Sequence, residues 1–317
     1  MVTHTEKIAW VCVYLLILSS LISCDSSLRA MKEQGQIESA LTVINLPPEA
    51  YSCGGERFES DLYHEGSIHG QNGWTTFLSS FSQEIVRSDS ACRGNGMWKL
   101  SNSVTDGGYW NQPSSPVLTH GSGESGVRRD GDGDAMSLSF FFRTVAPNAD
   151  GSEFTVSLSP EEADRHVLLT IVNDTNAKGG LQIVTTEFKG SFVSRVLARN
   201  LSRTEWHHVK ISSQLVDRVR PTEGPNDIVT IFVNGKFVYQ QTSWEKYFWD
   251  RKNANKQKEM RVDRLVRTLF RLPPNSMLKA RFPDGRDGFF IDDLKQWTFD
   301  SANPSVVIDQ YNTGFEL

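Results

Sequence analysis

The chain lacks an apolar run long enough to span a bilayer at its start. Ile8 to Leu21 is almost wholly apolar but only 14 residues long. A spanning helix needs about 20 residues and a signal-peptide core about 7 to 15. The length therefore favours a cleaved export signal, with Lys7 and the free amine as a short positive start that Glu6 weakens. Cysteine is scarce: there are 4 in 317 residues. Neither Cys53 nor Cys92 has a close Cys or His at zinc spacing, which argues against a metal finger. Positive charge is in deficit, 33 Lys and Arg against 38 Asp and Glu, for a net charge of −5. A phosphate backbone is thus no expected partner. No Gly-x-Ser-x-Gly occurs, so serine-nucleophile chemistry has no signature. No internal repeat is visible.

The apolar run ends in Leu21-Ile22-Ser23-Cys24. This resembles the bacterial lipobox: a branched apolar residue, an apolar or small one, a small one, then cysteine. The resemblance implies cleavage before Cys24, a diacylated sulfur and an acylated amine. Two or more chains hold a protein stably at a membrane, where one holds weakly. Asp25 resembles the inner-membrane retention signal of enteric lipoproteins. The alternatives are an ordinary secretory signal with a chance cysteine, or a short uncleaved anchor. Removal of residues 1–23 leaves 317 − 23 = 294 residues, ample for one large β domain. Cys12 leaves with the signal and Cys24 takes the lipid. Cys53 and Cys92 remain in a compartment that permits disulfides; they form either a bridge or two buried thiols.

Residues 24–51 read as a polar tether ending in Pro47-Pro48. From Ser52 onward, short apolar runs alternate with Gly, Asn, Asp, Ser and Pro at roughly ten-residue intervals, the texture of an all-β sandwich or barrel. Met136 to Thr144 turns solidly aromatic, as a strand buried on both faces does. Val167–Val172, Leu181–Thr186 and Phe192–Leu197 follow as strands. Trp206 to Ser212 alternates, with His207, Val209 and Ile211 on one face. Ile228–Val233 leads through Asn234-Gly235 into Lys236–Gln240, and Asn-Gly predicts a tight hairpin because both positions tolerate positive φ. Residues 243–261 interrupt the pattern as an insertion, with a strand after Arg261. Phe289–Phe299 is the last strong strand, and 301–317 is a C-terminal extension.

Five segments in this order carry a family resemblance: Phe58-Glu59, Gly70-Gln71-Asn72-Gly73-Trp74, Trp206-His207-His208-Val209, Val233-Asn234-Gly235-Lys236, and Gly288 to Leu294. The series resembles the concanavalin A-like or laminin G-like jelly rolls of secreted bacterial proteins. It implies an all-β jelly-roll β-sandwich of two antiparallel sheets with few helices, over residues 52–300. Many such domains bind glycans, some bind proteins and some cleave polysaccharides, so fold alone leaves function open. In the family pattern an aspartate of the last strand braces a neighbouring loop, a structural role for Asp292 or Asp293. Strand alternation expects these two on opposite faces.

The densest polar feature is Arg128-Arg129-Asp130-Gly131-Asp132-Gly133-Asp134. Carboxylates at alternate positions (Asp130, Asp132, Asp134) suit Ca2+, which takes six to eight oxygens at about 2.3–2.6 Å. The twelfth position counted from Asp130 is Phe141, not the glutamate of an EF-hand loop, and the arginines offer a cheaper partner. A solvated acidic turn is therefore favoured over a calcium site. Jelly-roll glucanases resemble one another in a Glu-x-Asp-x-x-Glu strand that would set two carboxylates on one face; none occurs here. Ser67-Ile68-His69-Gly70 faintly resembles the Gln-Ile-His of jelly-roll alginate lyases, without its glutamine or partner motifs. For sugar stacking, the aromatics in irregular segments are the candidates: Tyr109, Trp110, Trp244 and Trp249. Trp74, Trp98, Trp206 and Trp297 fit core or family-pattern positions better. The basic residues between Arg251 and Arg267 read as a solvated face, or as a contact for anionic lipid or acidic polysaccharide.

The expectation is thus a lipid-anchored, non-catalytic envelope protein, facing periplasm or exterior. Its jelly roll binds a polysaccharide or an envelope protein. A divergent polysaccharide lyase or hydrolase, and a purely structural envelope protein, are the rivals.

Overall fold

The computed structural model describes Phe58 and residues 62–76, 83–92, 94–101, 112–118, 127–128, 135–148, 151–159, 165–174, 180–216, 227–248, 250, 264–273, 288–300 and 303–312. All lie in the unit Pro48–Leu317. They form two main antiparallel sheets and a small strand pair, with only short helical turns. The all-β, two-sheet sandwich expected from the sequence is what the chain builds.

The first strands are β1 (Gly66–Ser67), β2 (Gln83–Arg87), β3 (Gly96–Leu100), β4 (Val127–Arg128) and β5 (Ala135–Thr144). Then come β6 (Glu153–Ser159), β7 (Leu168–Asn173), β8 (Leu181–Phe188), β9 (Phe192–Leu201) and β10 (His207–Gln214). The rest are β11 (Ile228–Val233), β12 (Lys236–Gln241), β13 (Arg264–Leu265), β14 (Arg267–Arg271), β15 (Phe289–Asp300) and β16 (Asn303–Asn312). The larger sheet has nine strands in the order β1-β2-β3-β15-β5-β10-β11-β12, with β16 also on β15. The smaller has five, ordered β14-β6-β7-β8-β9, and β13 pairs β4 apart from both.

Strand β7 shows why these segments are strands: Leu169, Ile171 and Asn173 are buried while the residues between are half-buried. Period-two burial places one row in the core and the other toward solvent. β5 departs from this, with nearly every residue buried, as its solid aromatic run predicts. The core joins the sheets through edge-on aromatics. Trp98 of β3 lies 5.0 Å from Phe270 of β14, and Phe289 of β15 lies 4.8 Å from Phe154 of β6. Trp74 packs at a tilt against Trp98, ring centres 4.9 Å apart. Such pairs add about 0.5–1.5 kcal/mol each beyond their burial. Trp74 and Trp98 are thus core, as expected.

Two local devices frame the large sheet. Arg87 donates through Nη1 to the Phe58 carbonyl at 2.7 Å and through Nη2 to the Tyr63 carbonyl at 2.8 Å. Its partner across the ladder is Gly96, where a Cβ would run into the Phe58 carbonyl oxygen. Glycine alone lets the incoming segment lie that close. The second device is in β15, which pairs β5 along one side and divides its other side between two strands. Residues 289–291 pair β3 and residues 295–300 pair β16. Residues 303–312, beyond the last strand expected from the sequence, thus extend the sheet.

The register of β15 on β5 shifts between Asp292 and Lys295, and Asp293 has φ 46°. Two residues oppose one there, a β-bulge. The bulge corrects the expectation that Asp292 and Asp293 point to opposite faces, because strict alternation stops at Asp292. Asp292 instead accepts the Asp293 N–H at 2.7 Å through Oδ1 and the Cys92 N–H at 2.8 Å through Oδ2. It braces the loop between β2 and β3, the role the resemblance implied for an aspartate of this strand.

Candidate binding face

Strand β10 sorts its side chains into two rows. His207, Val209, Ile211 and Ser213 face the five-stranded sheet, as the alternation predicts. His208, Lys210 and Ser212 face the other way, onto the outer face of the nine-stranded sheet. His207 sits 5.8 Å from the core ring of Phe142. Its Nε2 donates to the Ser202 carbonyl at 2.8 Å, and its Nδ1 accepts from Asn234 at 3.2 Å. Asn234 has φ 48° and Gly235 φ 75°, the expected hairpin turn. Asn234 also accepts the His208 N–H at 2.9 Å through its side-chain oxygen, so the turn clamps the adjacent strand.

Register places the outer row around Lys210. Across the ladders Lys210 faces Phe232 of β11 and Ser139 of β5, and Ser139 faces Lys295 of β15. One row along, Ser212 faces Ser137, which faces Trp297, and the two serine hydroxyls are hydrogen-bonded at 2.5 Å. In the other direction His208 faces Phe141, their rings 4.7 Å apart. Beyond it, Arg143 stacks on two rings, its guanidinium 5.1 Å from Trp206 and 5.0 Å from Phe290. Arg143, Trp206, Phe290, Lys295 and Trp297 are partly exposed, while His208, Lys210 and Phe141 are buried between them.

The charges here are unusual for a sheet face. Burial, with the positive neighbours Lys210 and Lys295, drives the His208 pKa down to about 4, and Asp293 offsets only part of this. Burial alone pushes the Lys210 ammonium down to about 8. Lys210 is 2% exposed, and among the described residues its Nζ finds no hydrogen-bond partner. It lies instead over aromatic rings, 5.3 Å from Phe232 and 5.7 Å from Trp297. Asp293 is drawn off toward Lys295, 3.5 Å away.

A second polar cluster combines Ser213, His166 and Asp227, the residue types of a hydrolase triad. Its geometry is different. Ser213 Oγ and Asp227 Oδ2 both approach the same ring nitrogen of His166, at 3.0 and 3.6 Å. A triad uses the two ring nitrogens for the two partners. All three residues are buried, and Asp227 further accepts from Ser243 at 2.7 Å and from the Val216 N–H at 3.1 Å. The cluster is a polar pin at one end of the sandwich.

Of the aromatics singled out in the sequence, Trp244 departs from expectation. It is 5% exposed within the core cluster, and its indole N–H donates to the Thr186 carbonyl at 2.8 Å. The helical turn at 245–248 folds Tyr247 and Phe248 back beside it, so its ring packs rather than stacks on a ligand. Trp206 and Trp297, expected in core or family-pattern positions, are partly exposed on the outer face, so neither is a core residue. Cys24, Cys53, Tyr109, Trp110, Trp249, Asp130, Asp132 and Asp134 lie outside the described residues. Among the described residues, no group of three or more His, Cys, Asp or Glu side chains could hold a metal ion. His69 sits on an exposed turn beside β1, its ring 3.0 Å from the Thr76 hydroxyl, five strands from β10 in the sheet.

Fold and face together define an antiparallel β-sandwich with an aromatic and basic outer sheet. No family profile and no curated protein matches the chain. Among solved structures it is similar to an alginate lyase from Pseudomonas aeruginosa, at 11% identity over 68% of this chain and 85% of that one, TM-score 0.40. It is likewise similar to an alginate lyase of polysaccharide lyase family 7, at 11% identity over 70% and 86%, TM-score 0.39. The carbohydrate binding module CBM66 from Bacillus subtilis matches at 10% identity over 72% and 96%, TM-score 0.31.

Proposed function

We propose that this chain is a lipid-anchored envelope protein that binds a glycan, without cleaving it, on the outer face of the nine-stranded sheet. The observation that carries the reading is the row of partly exposed rings on that face: Trp206 and Phe290 flanking Arg143, with Trp297 beside Lys210. Flat apolar rings beside polar side chains offer what a sugar presents, apolar C–H faces edged by hydroxyls. A β-sheet holds such rings at fixed spacing, so little ordering entropy is lost on binding. Anchoring rests on the lipobox-like Leu21-Ile22-Ser23-Cys24. Export supplies the oxidising setting for a Cys53–Cys92 bridge.

The test is retention of the full chain on a panel of insoluble polysaccharides, with product analysis on the same samples. Retention without new reducing ends or unsaturated products is expected, and its loss in Trp206→Ala and Trp297→Ala variants. Product formation abolished by a single carboxylate substitution would replace the binding reading with an enzyme. A mass spectrum of the mature protein is expected to show a diacylglyceryl group on Cys24. Its absence removes the anchor and leaves the binding face standing.

A further inference from the structure

We propose that Lys210 is an anion subsite on this face that takes an oxyanion borne by the glycan, a carboxylate or a sulfate. The inference rests on the glycan reading and narrows it to acidic polysaccharides. The geometry starts from an ammonium that is almost wholly buried yet, among the described residues, donates no hydrogen bond. Its neighbours across both ladders are Phe232 and Ser139, and the rings of Phe232 and Trp297 flank Nζ. A buried ammonium held only by ring faces lacks the acceptor that normally offsets its desolvation.

Among the described residues, the charged groups nearest on the face do not supply one. Asp293 pairs with Lys295, and Asp292 is engaged by the Cys92 and Asp293 N–H groups. His208 is neutral above about pH 4, and Arg143 lies over Trp206 and Phe290. Among the described residues the Lys210 ammonium is thus left without an acceptor. Trp297 is partly exposed and its ring lies 5.7 Å from Nζ, which sets a solvent-facing ring next to the buried ammonium. An arriving oxyanion then receives a charge-assisted hydrogen bond while a sugar ring meets the indole.

The experiment titrates the Lys210 side chain of the full chain by NMR, with the resonance assigned through Lys210→Met. Inorganic sulfate, at ionic strength matched with chloride, is expected to raise its pKa by about one unit. Retention is then compared on polygalacturonate, dextran sulfate and neutral xylan. The acidic polymers are expected to bind about tenfold more weakly to Lys210→Met, with Lys210→Arg restoring part of the affinity. Polygalacturonate and dextran sulfate separate carboxylate from sulfate. A Lys210 pKa unmoved by sulfate, or equal retention by wild type and Lys210→Met, overturns the subsite. Xylan retained equally by both, with no preference for acid, leaves glycan binding intact without the subsite. A sulfate-shifted pKa with no polymer retained keeps the subsite and removes the glycan reading.

Discussion

Lys210 of β10 carries its ammonium 5.3 Å from the ring centre of Phe232, the residue directly opposite on β11. Its folded pKa of about 8 stands below the ordinary 10.5. The unfolded chain therefore holds the proton more tightly, and stability rises as pH climbs from about 8 to 10.5. Below pH 8 the buried charge costs about 3 kcal/mol. The Lys210→Met variant keeps the stem and removes the charge, at the loss of a cation–π contact. It is expected to be more stable than wild type by about 1–3 kcal/mol at pH 7, with the gain vanishing above about pH 10.5. Urea unfolding at both pH values reads this. A variant less stable than wild type at pH 7 contradicts the desolvation argument.

His208, one step along the same row, titrates with the same sign at lower pH. Its pKa falls from 6.5 to about 4 through burial. Between those values the unfolded chain takes up a proton that the folded one refuses, so stability is lost as pH falls from about 6.5 to 4. The loss is about 3 kcal/mol at most. Replacing His208 by Leu, which fits against Phe141, is expected to flatten this part of the pH–stability curve. Thermal melts at half-unit steps check it; an unchanged slope in the variant assigns the acid sensitivity elsewhere.

Asp227 gathers Ser243, the Val216 N–H and the His166 ring at the end of the sandwich. An Asp227→Ala variant withdraws the acceptor from these buried donors. The expected cost is about 2–4 kcal/mol. Because the cluster is a pin and not a nucleophile site, Ser213→Ala is expected to change stability only, with no esterase or amidase activity in wild type to lose. An ester-hydrolysing wild type silenced by Ser213→Ala reverses that assignment.

Much of the sandwich is legible in local pattern. Period-two alternation locates β10, short apolar runs between turn residues locate β7, β8 and β11, and Asn234-Gly235 locates the hairpin between β11 and β12. The face is harder to read, because a β-bulge is invisible to alternation. Asp293 reads as one more strand residue until its register is known. Trp244 and Trp297 show the same limit. An insertion tryptophan and a strand tryptophan look alike in sequence, yet the helical turn at 245–248 buries the first. The second faces outward because the register shift in β15 resets alternation three residues before it. Lys210 carried a signal, a lysine between Val209 and Ile211 in an otherwise buried strand. Only the pairing with Phe232 and Ser139 shows that its charge lacks an acceptor.

The Asn234 turn makes two contributions that substitution separates. Its backbone adopts φ 48°, a conformation that costs most side chains about 1–2 kcal/mol. Its amide oxygen accepts the His208 N–H at 2.9 Å, a net gain of about 1 kcal/mol. Asn234→Gly keeps the backbone freedom and loses the hydrogen bond; Asn234→Ala loses both. The expected order of stability is wild type, then Asn234→Gly by about 1 kcal/mol, then Asn234→Ala by about 2–3 kcal/mol. Urea midpoints with an unchanged m-value resolve the three. Because the same amide fixes the backbone of His208 next to Lys210, Asn234→Gly is also expected to weaken polysaccharide retention while remaining folded. Retention equal to wild type in that variant confines Asn234 to the turn and separates the hairpin from the binding face.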